Sequence, residues 1–339
     1  MQSYQKKTLN NCLEIFPEGK RYNTFVGYYR RVYGERLQKL VIDAGFTCPN
    51  RDGKVGFGGC TFCDNAAFHP SYSLPGKPIL RQIDEGIEFH QTRYRNTRHY
   101  LAYFQSYSNT YAPLSRLKEL YLQALSHPSV VGIVIGTRPD CVDEEKLDWL
   151  AELSAGKVLQ SFSGAENGFE TPVVKIEYGI ESCYDTTLKR VNRGHDVDAA
   201  MRAVSMSAER GLEPGAHFIL GLPGETRQML LEQCSFISSL PLHSVKFHQL
   251  QIVRNTPIEK EYASKPGDFL EFGLDDYLDF IIDILERLRP NLYIERVAGE
   301  VPPRFVERTR WGLVRNFEIL RMLDERLEVR NTWQGRLFV

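Results

Sequence analysis

The chain has 339 residues, 42% hydrophobic and 25% charged, with a formal net charge of −1; this balance fits one large or two ordinary globular domains and excludes wholesale disorder. No apolar run approaches the roughly 20 residues that span a bilayer, and Met1-Gln2-Ser3-Tyr4-Gln5-Lys6-Lys7 opens without an apolar signal core, so a cytoplasmic location is expected. The charge is uneven: residues 1–40 carry eight bases against three acids and the chain from Arg304 onward eight against five, which suits an anionic partner such as RNA or else marks two solvated helix surfaces.

Strand-like and helix-like stretches alternate along the chain. Lys39–Ala44 is a short β-branched run, followed by a helical pattern over Pro78–Tyr94. Tyr100–Gln105 leads to Pro113–Ser126, with proline at the helix start. Val130–Ile135 is wholly apolar, as a buried parallel strand should be. It leads to Asp143–Leu153, where Asp143 is a good cap and Glu144 and Glu145 occupy the first turn. After an irregular stretch, Ala155–Pro172, come Val173–Tyr178 with Asp196–Arg210, Gly215–Leu220 with Thr226–Ser239, and Ser244–Gln251 with Asp275–Leu288. A further helical stretch spans Phe305–Leu327, with a break near Gly312.

Six βα units imply a parallel sheet with right-handed crossovers. They are too few for a closed eight-fold barrel. The expected fold is therefore a partial (β/α)6 TIM-like barrel over residues 36–290, open on one side. An N-terminal extension, 1–35, and a C-terminal extension, 291–339, would decorate it.

Seven cysteines in a chain of this length do not form a secreted disulfide framework. Cys12, Cys141, Cys183 and Cys234 are scattered, whereas Cys48, Cys60 and Cys63 form C-x11-C-x2-C, beginning four residues after the first expected strand. That is the carboxyl end, where parallel α/β folds place their chemistry. Three thiolates can hold three irons of a [4Fe–4S] cube and leave the fourth open to bind and reduce something. Gly53, Gly56, Gly58 and Gly59 would let the backbone wrap the cluster closely. His69 leaves a zinc reading open, C-x11-C-x2-C-x5-H supplying four tetrahedral ligands. Free buried thiols are a third reading.

On these cysteines the sequence resembles the radical S-adenosylmethionine (SAM) superfamily, in the branch of YhcC/YtqA-type proteins near the Elp3, MiaB and oxygen-independent coproporphyrinogen oxidase group. Segments that carry the resemblance are Ala44–Gly53, Gly59–Cys63, Tyr103-Phe104-Gln105, Gly136-Thr137-Arg138-Pro139-Asp140 and Trp333-Gln334-Gly335. It implies that Cys48, Cys60 and Cys63 bind the [4Fe–4S] cluster and that SAM chelates the unique iron. Phe62 would pack near the adenine. Glu177, Gly179, Glu181 and Ser182, closing the fourth strand, would border the ribose, with Glu181 facing it. Arg193 would pair with the SAM carboxylate, for which a guanidinium fork is suited. Gly221, Leu222 and Pro223 would lie under the adenosine. His217 stands where some relatives carry Asp. The commoner C-x3-C-x2-C spacing is absent, which sets the branch and leaves the ligand count unchanged.

The implied chemistry is delivery of one electron by a flavodoxin or ferredoxin, cleavage of SAM to methionine and a 5′-deoxyadenosyl radical, and hydrogen abstraction from substrate. Cys141, Cys183, Tyr107, Tyr111 and Tyr184 follow strand ends, and none is assigned a catalytic role. Two substrate classes are carried: a tRNA nucleoside, specifically a wobble-uridine side chain, with the basic termini gripping phosphates, and a small-molecule or cofactor precursor. A non-enzymatic zinc or Fe–S RNA-binding protein is the third reading.

Overall fold

The computed structural model describes residue 16 and residues 19–91, 97–159, 162–306, 311–312 and 314–339. Lys6, Lys7 and Cys12 lie outside the described residues. Seven strands pair in parallel in chain order: β1 (Gln38–Ile42), β2 (Tyr100–Phe104), β3 (Val130–Thr137), β4 (Val173–Glu181), β5 (Glu213–Leu220), β6 (Ser244–Gln249) and β7 (Tyr293–Arg296). The sheet curls into a half-barrel, so that Lys39 on β1 reaches Glu177 on β4 at 2.5 Å and also bonds to Glu295 on β7. The partial barrel expected from the sequence is present, with one strand more than expected.

Period-two alternation sorts each strand's side chains between two surroundings. On β4, Val174, Ile176, Tyr178 and Ile180 join the apolar layer beneath the helices, as do Ala216, Phe218 and Leu220 of β5 and Val245 and Phe247 of β6. Lys175, Glu177 and Gly179, His217, and Lys246 therefore face the lumen.

The helices covering the outer face are α2 (Ile79–Gln91), α3 (Leu114–Leu125), α4 (Glu144–Ser154), α6 (Val197–Glu209), α7 (Arg227–Ser239) and α9 (Leu274–Arg287). Asp143, the expected cap, accepts from Lys146 N, and at the expected helix starts Asp196 accepts from Ala199 N and Thr226 from Met229 N. The helix expected over Phe305–Leu327 is seen as α10, Asn316–Val329. Ahead of it Pro303–Phe305 is a 3-10 turn, and residues 307–310 and 313 are outside the described set.

Four elements were not expected: α1 (Phe25–Tyr33), α5 (Asp185–Arg190), α8 (Pro257–Ser264) and β7. Helix α1 is amphipathic, with Phe25, Tyr28 and Tyr29 on its buried face, but four aromatic side chains and a glycine in nine residues are weak helix formers, so local propensity does not mark it. Packing holds it instead. Thr24 caps it by accepting from Gly27 N at 3.0 Å, Gly34 ends it, and Phe25, Tyr28 and Tyr29 pack on Leu101, Tyr103, Val131 and Val134. The helix thus plugs the amino end of the barrel. Strand β7 has only four residues, too short to show a period, and gains its place by pairing with β6 and through the Asn23–Thr24 backbone on its far side.

Trp333-Gln334-Gly335 is a clamp on this edge. Gln334 is fully buried, donates to the carbonyls of Arg289 and Leu292 at 2.8 Å each, and accepts from Asn23 N at 2.9 Å. No helix of the described residues is long and apolar enough to cross a membrane.

Candidate active site

The loop after β1 is folded rather than slack. Arg51 N donates to Cys48 O at 2.8 Å, Val55 N to Pro49 O at 2.9 Å and Gly59 N to Asn50 O at 2.8 Å, while Asp52 and Phe57 form an antiparallel bridge. The eleven-residue spacer is therefore a compact hairpin whose two ends lie side by side. The space a Cβ would need at Gly53 and Gly56 is filled by Phe57 and Asn50, so these glycines make room for the loop's own side chains. Cys48 and Cys60 are buried and Cys63 and Phe62 half-buried. Burial and Cys60 push the Cys63 thiol up against the pull of Arg51 and Arg193.

Arg193 organises the site. It follows α5 and is buried, with Nη1 donating to Cys60 Sγ at 3.4 Å and Nη2 donating to Gly179 O at 2.5 Å. Glu181 Oε1 lies 3.5 Å from Nη2. Burial opposes its charge, but the Cys60 thiolate and Glu181 outweigh it and hold the guanidinium firmly protonated. The Arg193 Nε has no partner although buried, and neither has Asn50 Oδ1.

Two local features make this geometry. Gly179 has no Cβ, and one there would stand 2.5 Å from Glu181 and 2.6 Å from Arg193. Glu181 itself sits at φ 73° where the register between β4 and β5 shifts, a left-handed bulge that returns its carboxylate toward Arg193.

Arg138, in the Gly136–Asp140 segment after β3, had no role assigned from the sequence. It is 2% exposed, grips Asp140 through two bonds of 2.8 and 2.7 Å, and donates to Arg193 O at 2.6 Å. Asn50 was likewise quoted only as part of a segment. Its Nδ2 bonds to Asn192 O and lies 3.8 Å from Cys60 Sγ. Arginine followed two residues later by aspartate, at a strand's carboxyl end, was the available signal for the first.

Glu177 lies one inward-facing position below Gly179, in a charge cluster rather than at the rim. Lys39 and Lys246 contact it at 2.5 Å each and His217 Nε2 at 3.0 Å, and Lys246 also contacts Glu295 at 2.9 Å. Burial opposes ionisation of Glu177, but Lys246 and Lys39 hold it well below the usual carboxylate range. His217 is thereby tied to the floor of the site.

Ser182 is fully buried and donates to Glu225 at 2.5 Å. Burial pushes Glu225 up to about 7, and its second oxygen has no partner. Gly221, Leu222 and Pro223 are buried against the 268–272 segment, where Leu270 O would stand 3.2 Å from a Cβ on Gly221.

Burial pushes the Cys141 thiol up to about 12 and the Cys183 thiol up to about 11, which makes both poor nucleophiles. Tyr184 donates to Met229 O, and Tyr107 and Tyr111 lie beneath the cations of Arg51 and Lys54. At the basic C-terminus, Arg326, Arg330 and Arg336 pair with Asp275, Asp283 and Glu286.

His69 is bonded to Ser106 at 2.7 Å and lies 3.8 Å from Asp43. Among the described residues no three His, Cys, Asp or Glu side chains meet as ligands of a single ion. A cube, by contrast, takes each thiolate on a separate iron. The donor set of three cysteines, with Arg193 and Asn50 aimed at one sulfur and buried polar atoms left over beside it, fits a cluster with a further ligand better than it fits zinc.

Residues 48–237 match the model of the radical SAM superfamily and residues 242–329 that of the radical SAM C-terminal domain, and the chain belongs to this superfamily. It is similar to YtqA of Bacillus subtilis, 33% identical over 97% of this chain and 96% of that one. More distantly it is similar to the tRNA uridine(34) acetyltransferase of Methanocaldococcus infernus, 22% identical over 51% of this chain and 29% of that one. Among solved structures, Elp3 of Methanocaldococcus infernus shares the fold at a TM-score of 0.61, with 16% identity, 88% of this chain and 65% of that one covered. By that membership the chain is a radical SAM enzyme, with a [4Fe–4S] cluster and SAM as its cofactors.

Proposed function

We propose that Cys48, Cys60 and Cys63 hold the [4Fe–4S] cluster, that Arg193 takes the SAM carboxylate, and that the substrate is a tRNA nucleoside, modified on its wobble-uridine side chain. One observation carries the site: a buried arginine, bonded to Cys60 Sγ through Nη1 and 3.5 Å from Glu181 through Nη2, keeps an unpartnered Nε. When bound, the cluster and SAM supply reductive cleavage of SAM to a 5′-deoxyadenosyl radical, the hydrogen abstractor.

The chain's own residues position and enclose. Arg193 lends positive charge to the Cys60 thiolate through Nη1 and offers Nε to an anion. Arg138 and Asn50 fix the Arg193 and Asn192 backbones. Glu181 and Ser182 border the rim, with Phe62 on the loop opposite. Helix α1 closes the amino end of the barrel, leaving the carboxyl-end mouth as the side open to substrate.

The tRNA assignment draws on likeness to the archaeal tRNA uridine(34) acetyltransferase, and on Arg254 and Arg304, exposed on the loops after β6 and β7. A small-molecule substrate is the second reading, favoured by the pairing of the C-terminal bases with carboxylates. Anaerobic reconstitution tests the site: brown protein with about four irons per chain and dithionite-dependent 5′-deoxyadenosine are expected, with both lost in Cys60→Ala. Colourless protein holding one zinc would sink it. Comparing tRNA nucleosides from cells with and without the gene tests the substrate, and identical profiles with SAM cleavage retained would hand the case to the small-molecule reading.

A further inference from the structure

The hairpin between Cys48 and Cys60 carries an apolar tip that nothing in the site uses. Phe57 is 78% exposed and Val55 47% exposed. The Phe57 ring lies over Gly53, where a Cβ would come within 2.6 Å of it. Its backbone is fixed on both sides, by the bridge to Asp52 and by Asn192 Nδ2, which donates to Phe57 O at 3.3 Å. A phenylalanine held in place and left in water forgoes the stabilisation of burial, which a partner covering it would recover.

The cations are close by, and against them stands one exposed acid, Asp52. Lys54 and Lys189 are exposed and Arg51 is half-buried. Lys189 ends α5 and accepts through its carbonyl from Asn192 N at 3.1 Å, which brings it to the same corner as Phe57. Asp52 accepts from Lys54 N at 3.2 Å. The tip is three residues from Cys60, and Asn192 spans the gap by bonding to both Phe57 O and Gly59 O.

Resting on Cys60 as a cluster ligand, we propose that Phe57, Val55 and Lys54, with Lys189 at the edge, are the docking surface for a small acidic one-electron carrier protein. The apolar tip gives the contact and the lysines steer the encounter. In the transfer an anionic flavin hydroquinone of the carrier loses one electron and becomes the neutral semiquinone, and the oxidised cluster gains that electron. No bond in the enzyme forms or breaks and no proton moves. Docking on the cysteine hairpin keeps the path short and leaves the barrel mouth free for substrate.

The test uses reconstituted enzyme and an acidic flavodoxin as probe. Binding is measured by calorimetric titration for the wild type, Phe57→Ser and Lys54→Glu, and cluster bleaching is followed with photoreduced flavodoxin and separately with dithionite. Both variants should bind flavodoxin about tenfold more weakly and bleach correspondingly more slowly with it, while bleaching by dithionite is unchanged. Unchanged flavodoxin binding and bleaching in both variants would overturn the proposal. So would loss of tRNA affinity with flavodoxin binding intact, since the tip would then be a stacking platform for nucleic acid. Failure of the functional reading has its own signature, absence of 5′-deoxyadenosine from dithionite-reduced wild type, and the binding comparison reads out regardless.

Discussion

One side of β4 runs from Lys175 and Glu177 to Gly179 and Glu181, and its two halves are built differently. In the lower half charge meets charge: Lys39, Lys246 and His217 surround Glu177, and Lys246 also reaches Glu295. In the upper half the buried polar groups outnumber their partners. Arg193 Nε, Asn50 Oδ1, Ser108 Oγ, Asn109 Oδ1 and Glu225 Oε2 are all without one, against Glu295 Oε2, Tyr29 Oη and His243 Nδ1 in the lower half. An unpaired buried polar atom costs about 1–3 kcal/mol. A set of them gathered at the strands' carboxyl ends is therefore a site waiting for atoms from outside, whereas the closed cluster below holds the half-barrel's shape.

The contrast can be broken experimentally. Glu177→Ala should be the most damaging, because it leaves Lys39 and Lys246 to share Glu295 alone in the lumen; a loss of about 3–5 kcal/mol in urea unfolding is expected. A loss below 1 kcal/mol would mean that the lower cluster is not structural.

Glu225 tests the upper half through pH. Its carboxyl is raised to about 7 in the folded chain, above its unfolded value near 4.5. Its contribution to stability is therefore fully present below about pH 4.5 and is lost as pH rises through 7. The size is roughly 3 kcal/mol at about 1.4 kcal/mol per pH unit. Glu225→Gln should flatten that part of the stability–pH curve and be the more stable protein at pH 8; parallel curves for the two would refute the shift.

The smallest effect concerns ligand alone. Arg193→Lys keeps the charge and loses the fork, so SAM affinity should fall about 10–100-fold, the equivalent of about 1.5–3 kcal/mol, with iron content unchanged. Equal SAM affinity in calorimetry would remove Arg193 from the SAM pocket.

Much of this was legible in the residues. The six longer strands, the helix cap Asp143 and the helix starts at Asp196 and Thr226 could be read because periodicity and capping are local. The cysteine spacing and the order of Glu181, Arg193 and Gly221 along the chain were equally plain. Helix α1 and strand β7 were not, because α1 is built of weak helix formers and β7 has only four residues, and both are held by contacts far away in sequence. The lumen cluster was hidden for the same reason: Lys39, Glu177, Lys246 and Glu295 are scattered over more than 250 positions, and the sequence offers Glu177 as a ribose neighbour and the other three as surface charges.

By itself the sequence determined the alternation that builds a parallel sheet and the three thiols at the end of its first strand, since both follow from patterns within a few residues. Only the tertiary structure decided which neighbours those groups have. It set Arg193 against Cys60, drew Glu177 down into the ion pairs and left Phe57 in water at the tip of the cysteine hairpin. Curling the sheet brings together side chains that the chain keeps far apart, and desolvation then gives each one a charge state and a role that no local pattern encodes.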